Sequence, residues 1–254
     1  MTELDQAIVD VSLRPPLSHD EGLDLFAVEL ARVLELARGL DEAQWAAQTE
    51  CPDWDVRRMY LHMLGACESG ASWSELGHQM LAARRYQRSN GGPLEAALSA
   101  TQVADRIALT PDALVERFAA IAPVTVRRRR SLPGPLRRMT MKVDGPVFER
   151  WALGYLIDTI YLRDAWMHRI DVCRATGEAP VLTAEHDGRI VADVVAEWAR
   201  RHGQPFTLIL TGPAGGRFSG RGGGTVIELD AVEFCRILAG RAHGEGLLAT
   251  IVPF

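Results

Sequence analysis

Apolar residues in the first two thirds of the chain recur at spacings of three and four, which predicts long amphipathic helices. The first stripe of apolar residues extends from Leu23 to Ala37. It follows Ser18 and Glu21, whose spacing is that of a helix capping box. Four helical regions are predicted: Ser18–Gly39, Asp55–Ser74, Leu94–Ile121 with a restart at Thr110, and Pro146–Thr176. Four long helices with Pro- and Gly-rich connections are typical of a four-helix bundle.

The pattern changes after Pro180, where short runs of β-branched residues appear between two helical stretches. The predicted elements are a helix over Ala184–His202, strands over Phe206–Thr211, Arg217–Ser219 and Thr225–Leu229, and a helix over Asp230–Ala239. The glycine-rich segment Gly212–Gly224 lacks the Gly-Lys-Ser/Thr ending of a phosphate loop, so we expect a mobile hairpin there. The predicted fold class is α+β and mainly α, with a bundle over residues 1–178 and a small α+β domain over 179–254.

Composition narrows the class of protein without identifying a function. The chain has 254 residues, is 47% hydrophobic and carries a formal charge of −5, which argues against a general nucleic-acid binder. No stretch is long and apolar enough to suggest a membrane span, and no cysteine pair has C-x-x-C spacing, so we expect a reduced, cytoplasmic protein. The basic run Arg127–Arg130 lies between prolines and is interpreted as a solvated loop, with contact to an anionic partner as the alternative.

The strongest candidate for chemistry is a pair of residues four apart, Asp164 and His168. On a helix this spacing places a carboxylate and an imidazole on one face. If the helix that carries His62 packs against this face, two histidines and a carboxylate form a divalent metal site with an open coordination position. The alternatives are a local hydrogen bond between Asp164 and His168, and a purely structural role for His62.

Several residues accompany this candidate site. Asp171 follows His168 by three positions and could orient a ligand imidazole, although an ion pair with a nearby arginine is an equal alternative. Tyr161 precedes Asp164 by one turn and either lines the site or packs in the core. Three arginines in the second half of the chain are candidates for binding a carboxylate: Arg217, Arg221 and Arg241. The alternative for each is an exposed surface charge.

Two segments carry a family resemblance. The stretch Cys51–Arg57 followed by Leu61–Gly65 resembles the C-P-G-W-T-V-R-D-V-V-A-H-L-x-G segment of the mycothiol-dependent maleylpyruvate isomerase family, a group of DinB-like metal-binding bundles. The stretch Asp164–Gly177 resembles the motif of that family's fourth helix, and the tail from Glu233 to Leu248 is more loosely similar to its C-terminal domain. The chain departs from the isomerases at Asp164, where they have glutamate.

The resemblance implies a bundle that binds a divalent metal through His62, Asp164 and His168, with zinc as the first choice and nickel or iron as alternatives. It also implies mycothiol as a thiol cosubstrate that attacks a small electrophilic molecule, giving isomerisation or S-transfer. Tyr161 and Arg241 are then the candidate catalytic residues, and Arg217 and Arg241 the candidates for binding the cofactor.

On this interpretation the protein acts as a monomer or homodimer without nucleic-acid or membrane partners. The rival hypothesis is a non-catalytic metal- or ligand-binding bundle with a stress or regulatory role. An iron oxygenase with two histidines and one carboxylate is less favoured, because such sites usually lie in β-barrels.

Overall fold

The computed structural model describes residues 8–143 and 148–254, which form two compact units. Residues 19–179 make up the helical unit, and residues 8–18 join residues 180–254 in the second unit. The break near residue 179 lies where the hydrophobic pattern changes. The predicted division placed residues 8–18 in the bundle, whereas here they belong to the second unit. The short strand Val9–Asp10 pairs with a strand of that unit.

Within the described part of the helical unit, six helices are two turns or longer. They are α1 (His19–Gly39), α2 (Val56–Ala71), α3 (Trp73–Asn90), α4 (Leu94–Ala104), α5 (Pro111–Arg130) and α6 (Tyr161–Thr176). In the four-helix core, α1 and α2 each pack against both α5 and α6, while α3 and α4 pack against each other and against α2. The fold class predicted from the sequence is therefore confirmed: a mainly α, α+β chain with a four-helix bundle.

The second predicted helix is shorter than expected. The prediction extended it to Ser74, but α2 ends at Ala71 because Ser72 takes an extended conformation (φ −144°, ψ 124°) and caps α3. The Ser72 side chain accepts a hydrogen bond from the N–H of Glu75, as an N-cap serine does. The predicted third region likewise consists of two helices, with Thr110 capping α5 and Pro111 in its first turn, as the sequence indicated.

The prediction of a loop over Arg127–Arg130 is wrong, because these residues form the last turn of α5. Pro123 interrupts the helical hydrogen bonds on an exposed side of α5, and the helix continues past it. The buried stripe of α5 continues through the basic run, and its members are Leu114, Phe118, Ala122, Thr125 and Arg129. Tertiary packing of this stripe outweighs the local signal of the proline.

The fourth predicted helix begins later than expected, and its predicted start at Pro146 lies outside the described residues. An antiparallel pair of strands, β2 (Thr140–Val143) and β3 (Glu149–Ala152), precedes it. A helical turn, Leu153–Tyr155, and a π-helical turn, Leu156–Ile160, then lead into α6. Here α1 approaches closely, since a Cβ at Gly22 would lie 2.4 Å from the carbonyl oxygen of Asp158. Glycine at position 22 thus permits the packing of α1 on the turn that precedes α6.

In residues 8–18 and 180–254, the second unit has a four-stranded sheet and two α-helices. The strand β1 (Val9–Asp10) is followed by α7 (Asp187–His202), β4 (Phe206–Thr211), β5 (Gly216–Gly220), β6 (Thr225–Asp230) and α8 (Ala231–Leu238). The strand order is β1-β5-β4-β6, with β4 antiparallel to β5 and parallel to β6. The predicted hairpin therefore exists only between β4 and β5, because β4 separates β5 from β6. None of the described helices is long and apolar enough to span a membrane.

Candidate metal centre

The start of α2 places His62 in the interior of the helical unit. The Asp55 side chain accepts a hydrogen bond from the N–H of Arg58 at 2.7 Å, which caps the helix at Val56. Almost every residue of α2 is buried, and His62 is 8% exposed. Its Nε2 faces α6, 3.6 Å from Oδ2 of Asp164.

The helix α6 supplies the other two candidate ligands from one face. Asp164 and His168 are one turn apart, and Oδ1 of Asp164 lies 3.3 Å from Nε2 of His168. The Asp164 carboxylate therefore faces both imidazoles, and ligand atoms of the three residues all lie within 4.8 Å of one another. The side chain of Asp164 is 26% exposed, so the centre is open on one side.

Asp171 determines how His168 is oriented. It is fully buried, and its Oδ2 lies 3.2 Å from Nδ1 of His168. A carboxylate at Nδ1 holds a proton on that nitrogen, so Nε2, which faces Asp164, is the nitrogen available to a metal once its own proton is released. The carboxylate–histidine arrangement that often accompanies bound metals is thus present within α6.

The electrostatics of the centre follow from these contacts. Burial alone would lower the pKa of His168, but the charges and hydrogen bonds of Asp164 and Asp171 raise it to about 9. Burial alone would raise the pKa of Asp164, but His168 and His62 hold it well below the usual value. In the absence of a metal, a proton on His168 therefore compensates the negative charge of the centre.

The spacing of the donor atoms suits a small divalent ion. At metal–ligand distances of about 2.0–2.1 Å, the donor atoms of a tetrahedral site lie about 3.3 Å apart. Nε2 of His168 lies 3.3 Å from Oδ1 of Asp164 and Nε2 of His62 lies 3.6 Å from Oδ2, so each imidazole faces its own carboxylate oxygen at about this spacing. Two imidazoles and one carboxylate are also a donor set that zinc accepts, and they leave at least one coordination position for another ligand.

The loop before α2 covers the two imidazoles with an indole ring. The ring centroid of Trp54 lies 4.8 Å from that of His62 and 5.9 Å from that of His168. The loop is held by Thr49, whose N–H and hydroxyl both donate to the carbonyl of Trp54. Its Cys51 belongs to a second potential ligand group with His168 and Asp171, whose donor atoms also lie within 4.8 Å of one another.

Tyr161 lies three residues before Asp164, on the same face of α6, and a buried arginine covers its ring. The guanidinium carbon of Arg129 is 3.9 Å from the Tyr161 ring centroid and 4.8 Å from that of Phe26. Burial raises the pKa of Tyr161 above its ordinary value, so its phenol stays protonated near neutral pH. Among the residues described, none forms a hydrogen bond with the Tyr161 hydroxyl.

The two arginines predicted to bind the cofactor belong to the second unit. Arg217 lies on β5, where it is paired with Ile209 of β4 and lines a cavity. Arg241 follows α8, and its N–H donates to the carbonyl of Arg236 at 2.9 Å. The structure thus brings together His62, Asp164 and His168, with Tyr161 one turn away, while Arg217 and Arg241 belong to a separately described unit.

Three residues beside the centre were not predicted as part of it from the sequence: Cys51, Trp54 and Arg129. Cys51 and Trp54 belong to the Cys-Pro-Asp-Trp segment that carries the resemblance, just before the helix cap, and that position could have identified them. Arg129 was missed because the basic run was interpreted as a loop. The spacing of Phe118, Ala122, Thr125 and Arg129 was the available signal.

Comparison with known proteins agrees with the fold of the chain. Two solved structures, the crystal structure of the mycothiol-dependent maleylpyruvate isomerase and that of a histidine-to-alanine mutant of it, are similar to the chain, with TM-scores of 0.58 and 0.57. Each is 15% identical and aligns over 92% of this chain and 93% of its own, which shows a shared fold. No curated protein matches the chain.

The match to a family model is more specific than the similarity of fold. The model of the mycothiol maleylpyruvate isomerase N-terminal domain matches residues 26–173, more than half of the chain. The matched range contains His62, Asp164 and His168, and it confirms the prediction of an enzyme of the mycothiol-dependent isomerase type. The chain therefore belongs to the mycothiol maleylpyruvate isomerase N-terminal domain family.

Proposed function

We propose that this protein is a metal-dependent enzyme that uses mycothiol as a nucleophile on a small electrophilic substrate. The observation that carries the proposal is the convergence of His62, Asp164 and His168, with Asp171 holding His168 in the tautomer that binds metal. A divalent ion held there would lower the pKa of a coordinated thiol, so that thiolate forms near neutral pH. Zinc is the first choice because its usual donors are present, and nickel or iron accepts the same donors.

The reaction we propose begins with attack of the mycothiol thiolate on an electrophilic carbon of the substrate. The attack leaves a carbanion: expulsion of the thiolate after rotation about the former double bond re-forms the double bond and gives isomerisation, whereas protonation of the carbanion keeps the new carbon–sulfur bond and gives S-transfer. Tyr161 is assigned the role of proton donor because its raised pKa keeps the phenol protonated. Arg241 is assigned to stabilise the developing negative charge, and Arg217 and Arg241 to hold the anionic part of substrate or thiol.

The indole of Trp54 and the carboxylate of Asp171 have supporting roles in this proposal. Trp54 covers one side of both imidazoles and limits the access of water there. The shorter side chain of Asp164, where the isomerases have glutamate, requires α6 to lie closer to the ion, so metal preference is where this protein is expected to differ from them. We further propose that the protein acts in the cytoplasm as a monomer or homodimer.

The test combines metal content with turnover. Elemental analysis of purified wild-type protein is expected to show about one divalent ion per chain, and His62→Ala and His168→Ala are each expected to lose it. His78→Ala is the matched control, because His78 lies on the exposed side of α3, where its Nε2 is 2.9 Å from Oδ2 of Asp105. Full metal occupancy in either ligand variant would refute the three-residue site.

A turnover assay distinguishes the proposed enzyme from a non-catalytic metal-binding bundle. Wild-type protein loaded with zinc is expected to isomerise maleylpyruvate, or to consume another member of a panel of small electrophiles, only when mycothiol is added. His62→Ala is expected to lose this activity, and His78→Ala to keep it. Thermal stabilisation by metal with no thiol-dependent turnover on the whole panel would instead support a non-catalytic metal-binding bundle.

A further inference from the structure

The second unit contains a cavity of about 320 Å³ whose wall carries three arginines. Arg14 comes from the N-terminal segment, Arg189 from the first turn of α7 and Arg217 from β5. The pairing of β1 with β5, which sets Val9 opposite Phe218, brings Arg14 to the same wall as Arg217. A volume near 300 Å³ is at the lower end of the range for small-molecule sites.

The described residues that line this wall carry more positive than negative charge. Glu185 is the one acidic residue among its lining residues, so three arginines and one glutamate leave a net charge of +2. Glu185 is exposed, and its carboxylate forms no ion pair with the residues described. Within the same described ranges, Arg14 and Arg217 form no ion pair either, and the shielded Nε of each has no hydrogen-bond partner.

Partly buried guanidinium groups are normally matched by carboxylates or other acceptors, because desolvated donors without partners are unfavourable. An oxyanion would supply acceptors to several of these donors at once, and arginine binds planar and tetrahedral oxyanions through two parallel hydrogen bonds. The backbone of α7 does not serve this purpose at Gly188, because that N–H already donates to the carbonyl of Thr183 at 3.0 Å. The side chains of Arg14 and Arg217 are therefore donors that remain for a ligand, while Arg189, which also donates to the carbonyl of Pro15, adds positive charge to the wall.

We propose that Arg14, Arg189 and Arg217 form a binding site for the oxyanion group of a small molecule, a carboxylate or a phosphate. The inference rests on the proposed function for one point only, the assignment of Arg217 to anion binding. It adds Arg14 and Arg189, two residues that no motif indicated, and it places the site within the second unit alone. Its prediction of oxyanion binding does not require a metal in the helical unit.

Binding is tested by isothermal titration calorimetry of the full-length protein at constant ionic strength, with inorganic phosphate and succinate as separate probes. We expect saturable binding of at least one probe with a Kd of about 1 mM or tighter. Binding of phosphate alone would identify a phosphate ligand, and binding of succinate alone a carboxylate ligand. Both outcomes support the site, whereas no saturable binding of either probe would overturn it.

Variants assign the binding to these arginines. Arg14→Gln and Arg217→Gln are each expected to weaken binding about tenfold or more, because each removes charged hydrogen bonds. Arg200→Gln is the matched control, since Arg200 is an exposed arginine at the other end of α7, and its affinity is expected to stay within about twofold of wild type. Equal affinities of Arg217→Gln and Arg200→Gln would overturn the inference.

Two further variants keep the test independent of folding and of the proposed enzyme. Glu185→Gln changes an exposed side chain at the wall and is expected to bind the probe about twofold to fivefold more tightly, because it removes the opposing charge. An unchanged or weaker affinity in this variant would contradict the site. His62→Ala is expected to bind the probe as wild type does, even where metal and turnover are lost, so failure of the proposed function and failure of this site give different results.

Discussion

The pH dependence of metal binding follows from the proton that His168 holds in the metal-free protein. Asp164 and Asp171 raise its pKa to about 9, so the imidazole is charged near neutral pH. A metal ligand must present a free lone pair, and with Asp171 holding Nδ1, the proton removed on metal binding is the one at Nε2. Metal binding is therefore expected to release one proton below pH 9.

The size of this pH effect on metal affinity follows from the His168 pKa of about 9. At pH 7 the pKa of His168 lies about two units above the pH, so removal of its proton costs metal binding about 2.7 kcal/mol. The apparent metal affinity is therefore expected to fall about tenfold per pH unit, or about 100-fold in total, as the pH falls from 9 to 7. Above pH 9 the affinity should reach a plateau. Asp164 adds no proton competition in this range, because its pKa is lowered.

The assay is a zinc titration against a competing chelator from pH 7 to pH 9.5, with the protonation of the chelator taken into account. Calorimetry at pH 7.5 in two buffers with different ionisation enthalpies counts the protons released, and about one per metal is expected. An affinity that does not change between pH 7 and pH 9, or zinc binding without proton release, would refute the assignment of His168 as a protonated ligand residue.

Two further predictions follow from buried polar contacts. Asp171→Asn is expected to weaken metal affinity about 10- to 100-fold at pH 9.5, measured by the same competition, because His168 loses the carboxylate that orients it; an unchanged affinity would exclude that role. Arg169→Ala is expected to lower the free energy of unfolding in urea by about 3–5 kcal/mol, because Nε of Arg169 lies 2.6 Å from Oε1 of the fully buried Glu29. Arg38→Ala, which removes an exposed pair with Glu35, is the control and should cost less than about 1 kcal/mol. A similar loss in both variants would contradict the argument.

The periodic helices were predictable because their signal is local. The stripe of α1, the cap at Thr110 and the strand Phe206–Thr211 depend on residues within a few positions of one another, and the structure confirms all three. The same holds for the relation between Asp164 and His168, since four residues make one helical turn. Their closeness to His62 is not a local property of the sequence, because it depends on the packing of α2 against α6.

The wrong predictions concern features that distant residues decide. The basic run after Pro123 has the composition of a loop, but Arg129 is buried between Phe26 and Tyr161, which lie on two other helices. Cation–π contacts of this kind, together with the buried stripe of α5, stabilise a helical turn whose composition alone suggests solvent. The extended conformation of Ser72 similarly ends α2 where the apolar pattern continues.

The sequence by itself determined the helical bundle, the later change to strands and the pair of potential ligands on one face of α6. Only the tertiary structure decided that His62 faces this pair, that Trp54 covers the two imidazoles and that Arg14 shares a wall with Arg217. The reason is physical. Helical and strand periodicity is set by backbone geometry over a few residues, whereas the contact of residues some 200 positions apart depends on which strands and helices pack together across the whole chain.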